Sequence, residues 1–238
     1  MNQYLKIAVV NTSGNVGKTT VVDSLLKPRL PEAHVLKLET INNDGSEDKT
    51  MSSANLIAVQ EEIDMHDLLI IDVGASNIEK WLQNLEKNSG SHEDIDYYIV
   101  PVTPQSKQQI DTISTIKMLK NIGVDTDAIR VIFNQVDDTE SLDSQFGVIF
   151  ENRIAKELKL KSVNGLTIPH SPLFELMNDL GTTLADFVDD DTDYKAAIRA
   201  ASKEERAELS ARRTGVRLAK NFNEKLDHVY ANLKIEAQ

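Results

Sequence analysis

Short apolar runs alternate with longer amphipathic segments along most of this chain. The runs lie at Lys6 to Val10, His34 to Leu38, Leu68 to Ile71, Tyr97 to Val102, Arg130 to Phe133 and Leu166 to Ile168. Between them, helices are predicted at Lys18 to Leu26, Ile78 to Leu85, Lys107 to Ile122 and Leu142 to Leu158. That alternation is the signature of a parallel sheet covered by helices. In the third helix Ile110, Ile113, Met118, Leu119 and Ile122 mostly recur at three or four residues, so this face is expected to pack on the sheet. Pro28 and Pro31 close the first helix and Gly123 the third. The polar stretch from Thr40 to Ser53 reads as a loop or switch.

The first strand runs straight into Asn11-Thr12-Ser13-Gly14-Asn15-Val16-Gly17-Lys18-Thr19-Thr20. A strand, a glycine-containing loop and a helix start together make a cradle of backbone N–H groups for phosphate oxygens. Gly14 and Gly17 let the backbone come close, Lys18 reaches the β and γ phosphates, and Thr19 ligates Mg²⁺. Thr12 stands where the GxxxxGK[ST] pattern has its first glycine. The competing reading is a glycine turn with a solvated lysine. The expected cofactors are ATP or ADP with Mg²⁺, held by Ser13, Gly14, Asn15, Val16, Gly17, Lys18, Thr19 and Thr20.

A second element is the run His66-Asp67-Leu68-Leu69-Ile70-Ile71-Asp72-Val73-Gly74. In doubly wound folds ligands bind outside the carboxyl ends of the strands, which puts Asp72 beside the phosphate loop. There it holds Mg²⁺ through water, as a Walker B aspartate does; alternatively it ends a strand and caps a turn. Gly74 lets the following backbone pass near a γ phosphate. The fold class expected is α/β, a doubly wound, mostly parallel sheet of P-loop NTPase type, with helices on both faces and a C-terminal helical extension.

Composition narrows the setting. A chain of 238 residues can bury a full core. Zero cysteines excludes disulfides and thiolate metal sites. No signal-peptide pattern and no apolar run of about 18 residues stands out, so a soluble, cytoplasmic protein is expected and membrane association is not. The net charge of −12 argues against nucleic-acid affinity spread over the whole surface. The histidines at 34, 66, 92, 170 and 228 lie far apart in sequence and show no zinc-ligand spacing, so no zinc site is expected. No GxSxG or Ser/His/Asp arrangement can be assembled. Trp81 reads as a packing residue.

Residues 1–188 read as the nucleotide-binding domain and 189–238 as an acidic linker with a helical extension. Asp186, Asp189, Asp190, Asp191 and Asp193 form the acidic run, a solvated linker or helix end. Lys195 to Lys225 then holds nine Lys or Arg against four Glu. Arg199, Lys203, Arg206, Arg213, Arg217 and Lys220 fall on one face of a helix. That stripe can follow a DNA backbone nonspecifically, bind an acidic partner, rest on anionic lipid, or simply be solvated. Gly215 is a candidate break in it. Farther on, Val216, Ala219, Phe222, Leu226, Val229 and Leu233 make an apolar stripe suited to packing on the domain or on a second copy.

Asn11 to Thr20 resembles the deviant Walker A loop of the ParA/MinD group of ATPases. Val100-Pro101-Val102-Thr103-Pro104-Gln105 resembles their strand leading into the next helix. Phe133-Asn134-Gln135-Val136-Asp137 is similar to their base-binding segment, and Ile168-Pro169-His170-Ser171 to the loop that closes over the adenine. The order SGNVGKTT, DVGAS, PQSKQQIDT, FNQVDD is closer still to the StbB plasmid-stability proteins, a ParA-like branch of conjugative plasmids. The resemblance spans roughly residues 4 to 188. It implies that Asn134 hydrogen-bonds the adenine edge and that Pro169, His170 and Ser171 flank the base. It also implies an ATP-dependent homodimer and a plasmid-encoded DNA-binding partner.

Two departures matter. The group's signature lysine, which reaches the partner's ATP across the dimer, is replaced by Ser13, and losing such a cation slows phosphoryl transfer by orders of magnitude. The water-orienting carboxylate of the group has its nearest match in Glu39, which otherwise reads as a charged strand end. The expected catalytic set is Lys18, Glu39 and Asp72. The expected function is a weakly hydrolysing ATPase in plasmid stability, partition or conjugative DNA transfer. A non-hydrolysing, nucleotide-gated adaptor for a DNA-binding partner is the alternative, and a small-molecule phosphotransferase is a third reading.

Overall fold

The computed structural model describes residues 4–39, 49–53, 55–160 and 166–236. Seven strands form one sheet: β1 (Leu5–Val9), β2 (His34–Leu38), β3 (Lys49–Met51), β4 (Leu68–Val73), β5 (Tyr97–Val102), β6 (Ile129–Val136) and β7 (Thr167–Pro169). Their spatial order is β3-β2-β4-β1-β5-β6-β7, and every neighbouring pair is parallel. The strand β3 falls inside the stretch expected to be a loop; residues 40–48 of that stretch lie outside the described residues.

Handedness assigns the helices to faces. From β1 the chain first moves one way across the sheet to β2, through a helical run that we label α1. It starts as Lys18–Thr20, continues with π-type turns over Val21–Leu26 and ends in a 3₁₀ turn, Lys27–Arg29. Pro28 thus lies inside its last turn. From β3 onward the chain moves the opposite way, through α2 (Leu56–Met65), α3 (Ile78–Lys87), α4 (Ser106–Asn121) and the short α5 (Leu142–Gln145), α6 (Gly147–Phe150) and α7 (Arg153–Glu157). Right-handed crossovers in opposite directions put their helices on opposite faces. The two cores agree. Ala8, Leu36, Ile71, Val100 and Phe133 meet α2 to α7, whereas Ile7, Val35, Ile70, Ile99 and Ile132 meet α1.

One helical run cannot cover its whole face, and the C-terminal part completes it. After β7 come α8 (Leu173–Leu180), α9 (Leu184–Val188), α10 (Tyr194–Ala200) and α11 (Glu205–Leu233). Val216, Ala219, Phe222, Leu226, Val229 and Leu233 of α11 are all buried in the same core as β1 and α1. Each of the Val, Leu and Phe side chains contributes about 1.5–3 kcal/mol by leaving water. The Arg29 guanidinium, at the end of α1, locks the contact by donating to Asn223 O, Asn223 Oδ1 and Asp227 Oδ1.

Several expectations are corrected. Leu142 to Leu158 is three short helices, because Ser141 and Asn152 each cap a new start and Phe146, at the break, is buried edge-on against Phe133. Ile110 is 58 % exposed; α4 instead buries Gln108, Gln109, Thr112 and Thr115 with Ile113, Ile116 and Leu119. Gly215 does not break α11. It is buried there because a Cβ would lie 2.4 Å from Phe187 Cζ of α9. The basic stripe is not one helix face: Arg199 is on α10, Lys203 in the turn after it, and Arg206, Arg213, Arg217 and Lys220 on α11. Within the acidic run, Asp186 completes a capping box with Thr183 at the start of α9, Asp193 caps α10, and Asp191 pairs with Lys220.

Gly123 does end α4, with φ +103 and a pair of closing bonds, Gly123 N–H to Lys120 O and Val124 N–H to Leu119 O. Trp81 is packed in the core at 1 % exposure.

Candidate functional site

The parallel sheet sends the ends of β1, β2, β4, β5, β6 and β7 to one edge, so residues far apart in sequence meet there. Val9 and Asp72 are register partners on β1 and β4, which brings the loop after β1 beside Asp72. Gly17 begins α1 with φ +89, and Asn15 has φ +57. Both are left-handed conformations that turn successive N–H groups toward one side, the concavity that suits an anion. Among the described residues the amides of Gly14, Asn15, Val16 and Gly17 donate to no protein acceptor. A Cβ at Gly14 would meet nothing within 4 Å. Open donors and open space fit a phosphate chain.

The loop is held from below by a polar network that its own sequence does not reveal. The Asn11 amide donates to Pro101 O and Thr112 Oγ1, and its Oδ1 accepts from Ser13 N–H at 2.8 Å. Thr12 N–H donates to Thr115 Oγ1, and the Gln108 amide donates to Gly14 O. These partners explain the buried polar face of α4: it packs on the loop's backbone, whose groups need hydrogen bonds.

Lys18 is buried, and its ammonium donates to Asn11 O at 3.1 Å and Ser13 O at 2.9 Å. Desolvation lowers its pKa, and the Asp72 charge opposes that. Asp72 is 5 % exposed. Burial pushes its pKa up to about 6, while Lys18, the Thr19 hydroxyl and Lys37 hold it back. Thr19 Oγ1 donates to Asp72 Oδ2 at 3.3 Å. The hydroxyl and carboxylate proposed for Mg²⁺ therefore meet, and a poorly solvated carboxylate gains from a cation.

The remaining predicted residues surround this centre. Glu39 follows β2, and its Cγ stands 3.4 Å from where a Cβ on Gly74 would lie; the Gly74 N–H donates to Leu38 O. Thr20 continues α1, and Val16 is buried beneath the loop. Ser13 is 6 % exposed. Asn134, at 4 % exposure, donates from its amide to Val16 O at 2.9 Å and accepts from Gln135 N–H. Gln135 has φ +57 and sits at a register shift between β6 and β7, so Asn134 is turned under the loop. One amide hydrogen is spent on the loop carbonyl, leaving the other for a ligand. Pro169 ends β7, exposed His170 donates its N–H to Val136 O, and Ser171 Oγ accepts from Leu173 N–H. These three stand beside the end of β6 rather than against the loop.

Sequence reasoning missed Asn11, Gln108, Thr112 and Thr115 as the loop's supports and Lys37 as a neighbour of Asp72. For the α4 residues a signal existed: glutamines and threonines at helical spacing opposite an isoleucine that turned out exposed. A cavity of about 880 Å³ borders Thr19 and Thr20 and runs toward Phe174, Met177 and Val188; it flanks α1 rather than the amide cradle.

No protein-family model and no curated relative matches this chain. Among solved structures, it aligns with the MinD cell division protein of Aquifex aeolicus at 16% identity, over 88% of this chain and 96% of that one, with a TM-score of 0.49. The cell division ATPase MinD of Pyrococcus furiosus aligns at 16% identity over 93% and 98%, with a TM-score of 0.48. A plasmid partition protein of Borrelia burgdorferi B31 bound to AMPPNP aligns at 15% identity over 90% and 98%, also with a TM-score of 0.48.

Proposed function

We propose that this chain binds Mg²⁺ and ATP at the carboxyl edge of β1 and β4 and uses nucleotide state to control self-association or partner docking in plasmid stability, partition or conjugative DNA transfer. The observation that carries the reading is the meeting of Lys18, Thr19 and Asp72 around a loop with open N–H groups. On this reading the amides of residues 14–17 and Lys18 hold phosphate oxygens, and Thr19 and Asp72 hold Mg²⁺. Bound nucleotide supplies a γ phosphate whose presence or loss the protein can sense. Glu39 and Gly74, neighbours just past the ends of β2 and β4, are the groups that would respond.

Hydrolysis is the weaker part, because Ser13 carries no cation. Its neutral side chain cannot neutralise charge developing on a transferring phosphoryl group. This favours the second reading, an adaptor that binds nucleotide and scarcely turns it over.

The test is Mg²⁺-dependent phosphate release from ATP, with and without nonspecific duplex DNA, against Lys18→Ala. Release that DNA stimulates and the variant abolishes supports the hydrolytic cycle. Nucleotide binding with no release above the variant leaves the adaptor, and loss of both binding and release refutes the nucleotide reading altogether.

A further inference from the structure

The edge of the sheet opposite the phosphate loop brings together His34, at the start of β2, with Glu62 and His66 of α2 and its end. Their ligand atoms all lie within 4.8 Å of one another. Both imidazole Nε2 atoms face the same carboxylate oxygen, Glu62 Oε2, at 3.7 Å from His34 and 3.6 Å from His66. Two ligands each about 2.1 Å from one tetrahedral ion stand about 3.4 Å apart. The two Glu62–histidine spacings exceed that by a few tenths of an ångström, and the two histidine ligand atoms lie within 4.8 Å of each other. The two rings are stacked, with centroids 3.9 Å apart and planes 10° from parallel, so bringing one tetrahedral ion into the plane of both imidazoles requires each ring to turn by roughly 50° about χ2, a soft torsion for histidine.

We infer that His34, Glu62 and His66 form a binding site for a first-row divalent transition metal, with Zn²⁺ the natural occupant. Imidazole with one carboxylate is a donor set for such ions rather than for Mg²⁺ or Ca²⁺. Three protein ligands leave a fourth position for water. Glu62 is a carboxylate at 6 % exposure, and a charge so desolvated gains from a cation. His66 directly follows α2, where the carbonyl end of the helix dipole also favours positive charge. The ion pins α2 to β2, the two elements flanking the 39–55 connection. Nothing in this inference depends on nucleotide binding.

The experiment titrates the untagged chain with Zn²⁺ against a chromophoric chelator at pH 7.5, with Co²⁺ absorption as the readout of ligand geometry. The expected result is one equivalent of Zn²⁺, four-coordinate Co²⁺ bands, and at least roughly tenfold weaker binding in each of His34→Gln, Glu62→Gln and His66→Gln. Asp72→Asn is expected to leave the affinity unchanged. Circular dichroism establishes that each variant is folded, and the Co²⁺ spectrum of the unaltered protein stands even where one is not. Absence of stoichiometric binding overturns the inference. So does binding that all three variants retain, or binding that Asp72→Asn removes, which assigns the ion to the nucleotide crevice.

Discussion

Replacing Gly17 with alanine tests whether the phosphate loop is built as its geometry indicates, with no nucleotide in the experiment. Two costs add. Gly17 has φ +89, a conformation that costs a residue with a Cβ about 1–2 kcal/mol. The new Cβ also lies 2.1 Å from Asn134 Nδ2, so the buried Asn134 amide has to leave Val16 O. Losing that hydrogen bond without a replacement costs about 1–3 kcal/mol. Together Gly17→Ala should lose about 2–5 kcal/mol, read from urea unfolding midpoints at constant m. In an Asn134→Ala background only the backbone cost remains, so the same substitution should lose about 1–2 kcal/mol. Gly14→Ala, whose Cβ meets nothing, should stay within about 0.5 kcal/mol of the unaltered chain. Gly17→Ala inside that same margin, or an equal loss in both backgrounds, would refute the reasoning.

Other tests reach the rest of the molecule. Gly215→Ala gains about 1 kcal/mol of helix propensity, yet its Cβ overlaps the Phe187 ring at 2.4 Å; a net loss of about 1–2 kcal/mol in urea unfolding is expected, relieved by Phe187→Leu, and a more stable single variant contradicts the packing. Arg29→Lys should lose about 2 kcal/mol or more and speed hydrogen exchange in α11, because one ammonium cannot reproduce the bonds to Ser24 O, Leu25 O, Asn223 and Asp227. Asp72, raised from 3.8 to about 6 by burial, makes the folded state bind more protons than the unfolded between those values, so its contribution to stability falls as pH rises through that window. Since one pKa unit is about 1.4 kcal/mol, Asp72→Asn should gain about 2.4 kcal/mol relative to the unaltered chain between pH 4 and pH 7; a pH-independent difference is the contrary outcome.

Local chemistry made the central site legible. A strand, then GNVGKTT, then a helix is a contiguous phosphate cradle, and its residues are neighbours in sequence as well as in space. Asp72 could be placed too, because a parallel sheet delivers every strand's carboxyl end to the same edge and Val9 and Asp72 are register partners near the ends of adjacent strands. The same rule made Glu39 and Asn134 findable. It did not reveal what Asn134 touches, since the turn of its amide under Val16 depends on Gln135 at φ +57.

Contiguous runs with a clear period thus carried six of the seven strands, the phosphate loop and the doubly wound class, whereas β3 lay in a polar stretch that reads as a loop. Only the tertiary structure decided which face of α4 is buried, because a helix packed on loop backbone buries glutamines and threonines while Ile110 faces out. It also decided that α11 runs on through Gly215, since that glycine answers a ring from another helix. The meeting of His34 with Glu62 and His66 is likewise tertiary. Side chains 28 or more positions apart on a strand and a helix acquire a common centre only once the sheet is paired and α2 is laid against it, and no local periodicity records that distance.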